Sequence, residues 1–447
     1  MNLPVGRQVS WGYIFLIRFA HKKNIMKYNK KTLKNGLRII TIPMLDNKTA
    51  TTMVLVEAGS KYEEKKNNGI SHFLEHMCFK GTVRRPGSGD ISLELDNLGA
   101  QSNAFTSHEF TGYYAKTNAK NVYKVIDIIS DMYLNPVFDE KEIKKEKGVI
   151  IEEMNMYKDI PMKNVYYLFM NLLYGDTPAG RTILGDKNFI QKTTQKDFID
   201  YRKEHYIASA TTVVVAGDID EKKVVERIEE SFRDIVSARK REKVKVKEIQ
   251  EKPQVKIEYK KSDQSHLILG VRSFDIFKKE ENVVSLLVGV LSAGMSSRLF
   301  KKLRDEMGVC YYVKANNNSF TDHGYLGVSA GVDNKRIGEV VEVILEEFKK
   351  LKTGLVSDLE LKKVKEKMIS SVLLGLESSD SFTEYYGIQE ILKKKVETPQ
   401  EEIEKIKAIT AKDIKRVANK IFVNKGLNLA VIGPIKDKKP LQKILKF

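Results

Sequence analysis

Two stretches of the chain follow the same pattern. Residues 193–219 read TTQKDFIDYRKEHYIASATTVVVAGDI, and residues 409–435 read ITAKDIKRVANKIFVNKGLNLAVIGPI. In each copy a threonine precedes Lys-Asp and a helical stretch, and an apolar strand that ends in glycine follows. Thr194 and Gly217 are 23 positions apart, as are Thr410 and Gly433, and the two copies are offset by 216 residues. Equal spacing over this length predicts a duplicated chain of two related domains.

The length agrees with this reading, because 447 residues are too many for one ordinary domain. The region between the two copies is rich in charged residues and is expected to connect them. We predict a disordered N-terminal extension over residues 1–27 and a first α+β domain over 28–236. A charged linker over 237–252 and a second, homologous α+β domain over 253–447 are expected to follow.

Each half contains strand-like segments followed by helix-like segments. In the first half, LRIITIP and TTMVLVEAG are rich in β-branched residues, and SNAFTSHEFTGYYAKT alternates as a hairpin does. Helical periodicity is found at 119–133, 139–158, 161–173, 194–204, 280–291, 295–306, 334–351 and 356–375. The expected fold is α+β, with an antiparallel-dominated sheet covered by helices in each half.

Composition excludes several classes of protein. The net charge of +18 comes mainly from lysines spread along the chain, and no nucleic-acid-binding motif accompanies them. No run of 18 apolar residues predicts a transmembrane helix. The two cysteines do not form a CxxC or a disulfide framework. We therefore expect no nucleic-acid partner, no membrane partner and a cytoplasmic location.

The segment NNGISHFLEHMCFKGT, residues 67–82, holds two of the seven histidines of the chain. In a helix of about 100° per residue, His72, Glu75 and His76 share one face, and the apolar residues between them share the other. Two imidazoles one helical turn apart reach the same metal ion. The pattern is the inverted zinc motif H-x-x-E-H. Two surface histidines beside a carboxylate would give the same letters, so a third ligand is needed to decide.

A carboxylate is the usual third protein ligand of zinc bound by two histidines. In the helix predicted at 139–158, Glu146 and Glu153 share the stripe of buried-type residues, whereas Glu152 lies away from its centre. A carboxylate facing a core is costly unless it is paired or binds a metal. This reasoning selects Glu153 or Glu146 and leaves both open. Ion pairs with neighbouring lysines are the alternative explanation.

The segments GISHFLEHMCFKGT and EKGVIIEEMNMYKD resemble the signatures of the pitrilysin/insulinase family of zinc peptidases. The similarity extends over about residues 30–435 and is strongest to the short, two-domain branch that includes the mitochondrial processing peptidase β subunit. The resemblance implies that His72, His76 and Glu153 bind one Zn2+ per chain. It further implies that Glu75 is the general base and that Glu146 is the supporting acid near the ligand histidines.

The resemblance also implies a substrate groove. GAQSNAFTSHEFTGYY, residues 99–114, is similar to the edge strand of the family, to which a peptide adds as a further strand. Asn103 and Ala104 match the positions that bind the substrate backbone, and Phe105 would shape a side pocket. An ordinary hairpin is the alternative interpretation.

The second half has no H-x-x-E-H motif, so one half is expected to be catalytic. LRDEMGVCYYV resembles the Arg-Tyr element of the family, in which Arg304 and Tyr311 would hold the substrate carbonyl and the developing oxyanion. Tyr312 competes with Tyr311 for that role. A surface arginine and a strand tyrosine would explain the same residues without a function.

The predicted function is that of a zinc metalloendopeptidase that cuts unfolded peptides or presequences. Large family members close four such domains around a peptide, so this two-domain chain is expected to form a homodimer or a heterodimer with a related chain. Basic presequences would favour acidic groove residues, for which Glu63, Glu64 and Glu109 are candidates. The alternative is a non-catalytic structural subunit of a peptidase-like or respiratory-complex assembly, although such relatives typically lack part of the His, Glu, His, Glu set.

Overall fold

The structure is a computed structural model that describes residues 27–45 and 47–447. Of the predicted extension over residues 1–27, only Lys27 belongs to the described part, so the prediction of disorder lies outside it. Among the described residues, no helix combines the length and the apolar character needed to cross a membrane.

The first half contains six strands and eight α-helices within the described residues. In chain order they are β1 (Asn29–Thr32), β2 (Arg38–Pro43), β3 (Thr49–Val56), α1 (Ile70–Met77), α2 (Asp90–Asn97), β4 (Gln101–Thr106), β5 (Thr111–Asn118), α3 (Val122–Leu134), α4 (Glu140–Asp159), α5 (Pro161–Tyr174), α6 (Lys187–Lys192), α7 (Gln195–His205), β6 (Thr211–Gly217) and α8 (Glu221–Ser231).

The second half repeats this plan with five strands and seven α-helices. They are β7 (Gln254–Tyr259), β8 (Gln264–Ser273), α9 (Glu280–Ser292), β9 (Cys310–Ser319), β10 (Gly324–Asp333), α10 (Ile337–Thr353), α11 (Asp358–Gly375), α12 (Ser379–Lys393), α13 (Pro399–Ala408), α14 (Ala411–Ile421), β11 (Asn428–Gly433) and α15 (Lys439–Ile444). The helix predicted at 295–306 is wrong in extent: residues 295–297 form a turn, only 298–306 are helical, and Phe300–Glu306 has π-helical hydrogen bonding.

The strands form two sheets, in the orders β1-β2-β6-β3-β5-β4 and β7-β11-β8-β10-β9. Apart from the additional edge strand β1, the orders are equivalent. Among the described strands, the only parallel pairs are β2 with β6 and β7 with β11. The predicted α+β fold with two antiparallel-dominated sheets is thus confirmed.

The repeated stretch forms the same structure in both halves. The helices α7 and α14 both begin with a capping box, in which Thr194 pairs with Asp197 and Thr410 pairs with Asp413. Reciprocal bonds between the threonine and the aspartate satisfy backbone N–H groups that the first helical turn leaves free. The strands that follow, β6 and β11, are fully buried, and each lies between two other strands of its sheet.

One helix of each half packs on the sheet of the other half. The first-half helix α5 contacts β11, β8 and β7, while the second-half helix α12 contacts β3, β6 and β2. Tyr386 of α12 packs in an apolar cluster with Ile40, Leu55 and Val214. Each sheet therefore has one apolar face that is covered mainly by a helix of the other half.

The predicted linker, residues 237–252, contains neither helix nor strand. It is nevertheless attached to the first half, because Lys240 pairs with Glu57 at 2.7 Å and Arg241 pairs with Glu64 at 2.6 Å. These ion pairs give the charged composition of the segment a structural role.

Candidate metal centre

Helix α1 begins at a position that requires glycine. Gly69 has a φ of 104°, and a Cβ atom there would lie 2.7 Å from the Cα of Gly185. The buried carboxylate of Glu63 accepts hydrogen bonds from Gly69 N at 2.7 Å, Ser71 N at 2.9 Å and Asn68 Nδ2 at 2.8 Å. A carboxylate that binds free N–H groups at a helix N-terminus fixes the start of that helix.

The two faces of α1 differ as the helical spacing predicts. The apolar residues Ile70, Phe73, Leu74 and Met77 are completely buried in the core of the first half. On the other face, His72 and Glu75 are 8% and 9% exposed. Burial on one side therefore directs the His-Glu-His side toward the neighbouring helix α4 and strand β4, both of which contact α1.

Helix α4 presents its acidic residues as predicted. Ile143, Glu146 and Ile150 are buried, Glu153 is half-buried, and Glu152 is exposed. Asp139 caps the helix by accepting hydrogen bonds from the backbone of its first turn. The stripe that packs against α1 therefore carries Glu146 and Glu153 to the two histidines.

Three side chains converge between the helices. The carboxylate atom Glu153 Oε2 lies 3.6 Å from His72 Nε2 and 3.8 Å from His76 Nε2. All three ligand-type atoms lie within 4.8 Å of one another, and no other group of this kind is found in residues 27–45 and 47–447. The structure thus brings together the three residues that the resemblance selected.

This cluster fits a zinc ion. Ligand atoms bound to tetrahedral zinc at about 2.0–2.2 Å lie roughly 3.4 Å from one another, and the observed separations of 3.6 and 3.8 Å are close to that value. Two imidazole nitrogens and one carboxylate oxygen are ligands that zinc takes in catalytic sites.

Electrostatics favour a neutral His72. Burial, with a smaller contribution from His76, lowers the pKa of His72 to about 3. The imidazole is therefore unprotonated at neutral pH and keeps a lone pair for a metal. Among the described residues, the buried atom His72 Nδ1 has no hydrogen-bond partner.

The second histidine is held by a carboxylate. Glu146 Oε1 lies 2.9 Å from His76 Nδ1, and Glu146 Oε2 accepts from Lys80 Nζ at 2.8 Å. Burial lowers the pKa of His76, but the hydrogen bond to Glu146 and the nearby carboxylates outweigh it and raise the pKa overall. Contact with Nδ1 leaves Nε2 as the atom that faces Glu153.

The carboxylate between the histidines is also restrained. Thr106 Oγ1, at the end of β4, donates a hydrogen bond of 2.5 Å to Glu75 Oε2. Burial raises the pKa of the Glu75 carboxyl, while the bond from Thr106 opposes this change. A raised carboxyl pKa is closer to neutral pH and suits a group that exchanges protons.

Strand β4 forms one of the two edges of the first sheet, and β1 forms the other. Asn103 on this strand is exposed, and its Oδ1 accepts a hydrogen bond of 2.9 Å from the N–H of Ala104. The ring of Phe105 packs edge-on to Phe110, on the sheet face that α12 covers and opposite the face of α1. A strand added at this edge would have side chains next to both faces.

The two second-half candidates lie together. The guanidinium of Arg304 lies 5.1 Å from the ring centre of Tyr311 and donates to Cys310 O at 2.8 Å. Tyr311 is 74% exposed and has no partner in the register of β9 with β10. Tyr312, by contrast, forms a hydrogen bond with His266. Bulges of this kind redirect side chains. In the described part of the chain, neither Arg304 nor Tyr311 has a hydrogen bond, ion pair or ring contact with the histidine cluster.

The interpretation of Glu63 and Glu109 as acidic groove residues is wrong. Glu63 is buried at the start of α1, and Glu109 is buried against Lys61. Glu64 is exposed but pairs with Arg241. Sequence reasoning missed these structural roles because the partners are distant in the chain or are backbone N–H groups.

Comparison with known proteins assigns the family. Residues 38–187 match the model for insulinase (peptidase family M16), and residues 192–368 match the model for the peptidase M16 inactive domain. The uncharacterised zinc protease YmxG of Bacillus subtilis (strain 168) is 32% identical over 90% of this chain and 97% of its own length. The chain belongs to peptidase family M16.

Two further proteins are similar to most of this chain. The mitochondrial-processing peptidase subunit beta of Homo sapiens is 29% identical over 93% of this chain and 86% of its own length. A protease from Helicobacter pylori has the same fold, with a TM-score of 0.85 and 24% identity over 92% of this chain and all of that chain.

Proposed function

We propose that this M16 family member is a zinc metalloendopeptidase that cuts peptides bound in an extended conformation. The observation that carries the proposal is the convergence of His72, His76 and Glu153 within 4.8 Å beside the restrained carboxylate of Glu75. His72, His76 and Glu153 would hold one zinc ion. When bound, zinc supplies Lewis-acid polarisation of the scissile carbonyl and lowers the pKa of a water molecule.

The residues of the chain would move the proton and hold the substrate. Glu75 would take a proton from the attacking water and deliver it to the leaving amine, because its carboxylate lies on the face of α1 that also carries both histidines. Thr106 keeps that carboxylate oriented through its hydrogen bond of 2.5 Å. Glu146 holds His76 through Nδ1 and so keeps Nε2 directed at the site.

The free edge of β4 would bind the peptide backbone next to Asn103 and Ala104. This edge ends at Thr106, which contacts Glu75, so a peptide paired with β4 would run past the proposed base. Alternate side chains of the peptide would then lie on the face that holds Phe105. The proposed substrate is an unfolded peptide, with presequences as a narrower possibility.

Arg304 and Tyr311 would hold the substrate carbonyl when a peptide is bound. Tyr311→Phe should lower kcat without changing KM, because only a hydroxyl that stabilises developing charge is removed. The matched control is Tyr312→Phe, which removes the hydrogen bond between Tyr312 and His266 and should leave kcat within twofold of wild type. The reverse ranking would assign the role to Tyr312.

A second chain, identical or related, would complete the enzyme. This chain has one histidine cluster within its described residues, and a similar human protein is named as a subunit. Light scattering of the purified protein tests this point, since a dimer supports a second identical chain and a monomer that cleaves peptides refutes the need for one.

The experiment that tests the function is metal analysis combined with cleavage of a quenched fluorescent peptide. About one zinc per chain, with cleavage abolished by a chelator and restored by zinc, would support the proposal. Absence of both zinc and cleavage would favour a non-catalytic structural subunit. The Glu75→Gln variant is the control for a contaminating peptidase, because it should retain zinc and lose cleavage.

A further inference from the structure

The turn that joins β4 to β5 is held by the second half of the chain. Glu109 in this turn is 3% exposed. Its carboxylate accepts hydrogen bonds from Thr321 N at 2.9 Å and from Thr321 Oγ1 at 2.7 Å. Thr321 lies in the turn between β9 and β10, which is the equivalent turn of the other half. The two corresponding turns therefore meet, and the rings of His108 and Phe320 also contact there.

Buried ion pairs stabilise the contact between the two turns, which we call the junction. Lys61 Nζ lies 3.0 Å from Glu109 Oε1 and 2.5 Å from Asp322 Oδ1, and Lys243 Nζ lies 3.2 and 3.1 Å from the same two atoms. The four side chains are 1–10% exposed and carry two charges of each sign. A buried charge is costly unless it is paired, so loss of one partner leaves the others uncompensated. The junction is consequently a fixed point between the halves.

This turn directly follows Thr106, the residue whose hydroxyl is hydrogen-bonded to Glu75. Thr106 is three positions before Glu109, and its hydroxyl donates to Glu75 Oε2 at 2.5 Å. Backbone hydrogen bonds from Lys61 N to His108 O, at 2.8 Å, further attach the turn to the segment before α1. A shift of this turn therefore moves Thr106 relative to the Glu75 carboxylate.

We propose that Glu109 is a positioning residue for Glu75, that it acts through Thr106, and that Thr321 of the second half sets its position. The proposal rests on the proposed peptidase function. It gives the half without the histidine motif a part in the reaction: it aligns the base of the other half.

The test uses the full chain and a substitution that preserves shape. Thr321→Val removes the hydroxyl donor to Glu109, and Thr321→Ser restores it. The matched control is Asp380→Asn, which removes the 2.7 Å ion pair with Lys116 that also joins the two halves. Thr321→Val should lower kcat about tenfold, because a hydrogen bond to a charged group is lost, while KM and zinc content stay at wild-type values. Thr321→Ser should recover kcat, and Asp380→Asn should stay within twofold of wild type.

Two further measurements separate positioning from general destabilisation. In a double-mutant cycle, Thr106→Val alone should lower kcat, and adding Thr321→Val should lower it little further, because both changes act on one chain of contacts. If the kcat losses of Thr106→Val and Thr321→Val multiply in the double variant, the two residues act independently, and Glu109 does not act through Thr106. Equal kcat values for wild type and Thr321→Val would overturn the proposal altogether.

Hydrogen exchange of the metal-free protein gives a readout independent of activity. Thr321→Val should speed amide exchange in residues 101–108 roughly tenfold relative to Asp380→Asn, because the turn loses one of its two hydrogen bonds to Thr321. Unchanged exchange would overturn the proposal. A wild-type protein without chelator-sensitive cleavage would instead refute the peptidase function, and the exchange experiment would still decide whether the second half holds this turn.

Discussion

The contact between Glu146 and His76 leads to a quantitative prediction for metal binding. Glu146→Gln keeps the shape of the side chain but replaces a carboxylate with a neutral amide, 2.9 Å from His76 Nδ1. A hydrogen bond to a charged partner contributes about 1.5–3 kcal/mol. Loss of a carboxylate behind a ligand histidine typically lowers metal affinity about 10- to 100-fold. Because the two side chains are only 22% and 7% exposed, solvent compensates little, and we expect about 30-fold weaker zinc binding.

Zinc affinity would be measured by competition with a chromogenic chelator at pH 7.5. The matched control is Glu142→Gln, one helical turn earlier on α4, where the carboxylate pairs with Lys145 away from the histidines. This control should bind zinc as the wild type does. If Glu146→Gln stays within twofold of the wild type, the contact with His76 does not support the metal site. A 30-fold loss in the control as well would point to the net charge of α4 and not to His76.

Three further predictions follow from the site and the junction. Glu75→Gln should retain zinc and lower kcat by about 10²–10⁴-fold, because only proton transfer is lost; cleavage at the wild-type rate would remove Glu75 from the mechanism. Glu153→Gln should lose zinc in metal analysis, whereas Glu152→Gln should not, and the reverse result would shift the ligand by one residue. Burial works to raise the pKa of Asp322, but His323 and Lys61 hold it well below its usual range. A carboxyl whose pKa is depressed in the folded state stabilises the fold at pH values above its unfolded-state pKa. This stabilisation is lost as the pH falls toward the folded-state pKa. Urea unfolding of Asp322→Asn should therefore depend less on pH than that of the wild type between pH 5 and pH 3, and an equal dependence would contradict this origin of acid sensitivity.

The ligand-type residues of the site could be predicted from the sequence because they lie on two helices. Spacing alone puts His72 and His76 on one face of α1 and turns Glu152 away from the core of α4. Spacing alone does not separate Glu146 from Glu153, since both share the inner stripe. The structure distinguishes them by the nitrogen that each approaches: Glu146 lies at Nδ1 of His76, and Glu153 lies near the Nε2 atoms.

Features that depend on distant contacts were not readable. Glu109 and Asp322 are 213 positions apart, and nothing in their local sequence indicates that Lys61 lies between them. The cap that Glu63 provides was missed because its donors are mainly backbone N–H groups. The duplication predicted two similar sheets, but no periodicity in a helix reveals which of two similar sheets it will cover.

The packing of α5 and α12 has the topology of a domain-swapped dimer whose two chains have been joined end to end. In such a dimer neither copy completes its fold alone, because the helix that covers each sheet comes from the other copy. We infer that the single-domain ancestor of the two halves formed a dimer before its gene was duplicated and fused. For the present chain, a cut within residues 237–252 would leave the two fragments bound to each other. Either fragment made by itself would expose the apolar sheet face on which its missing helix rests.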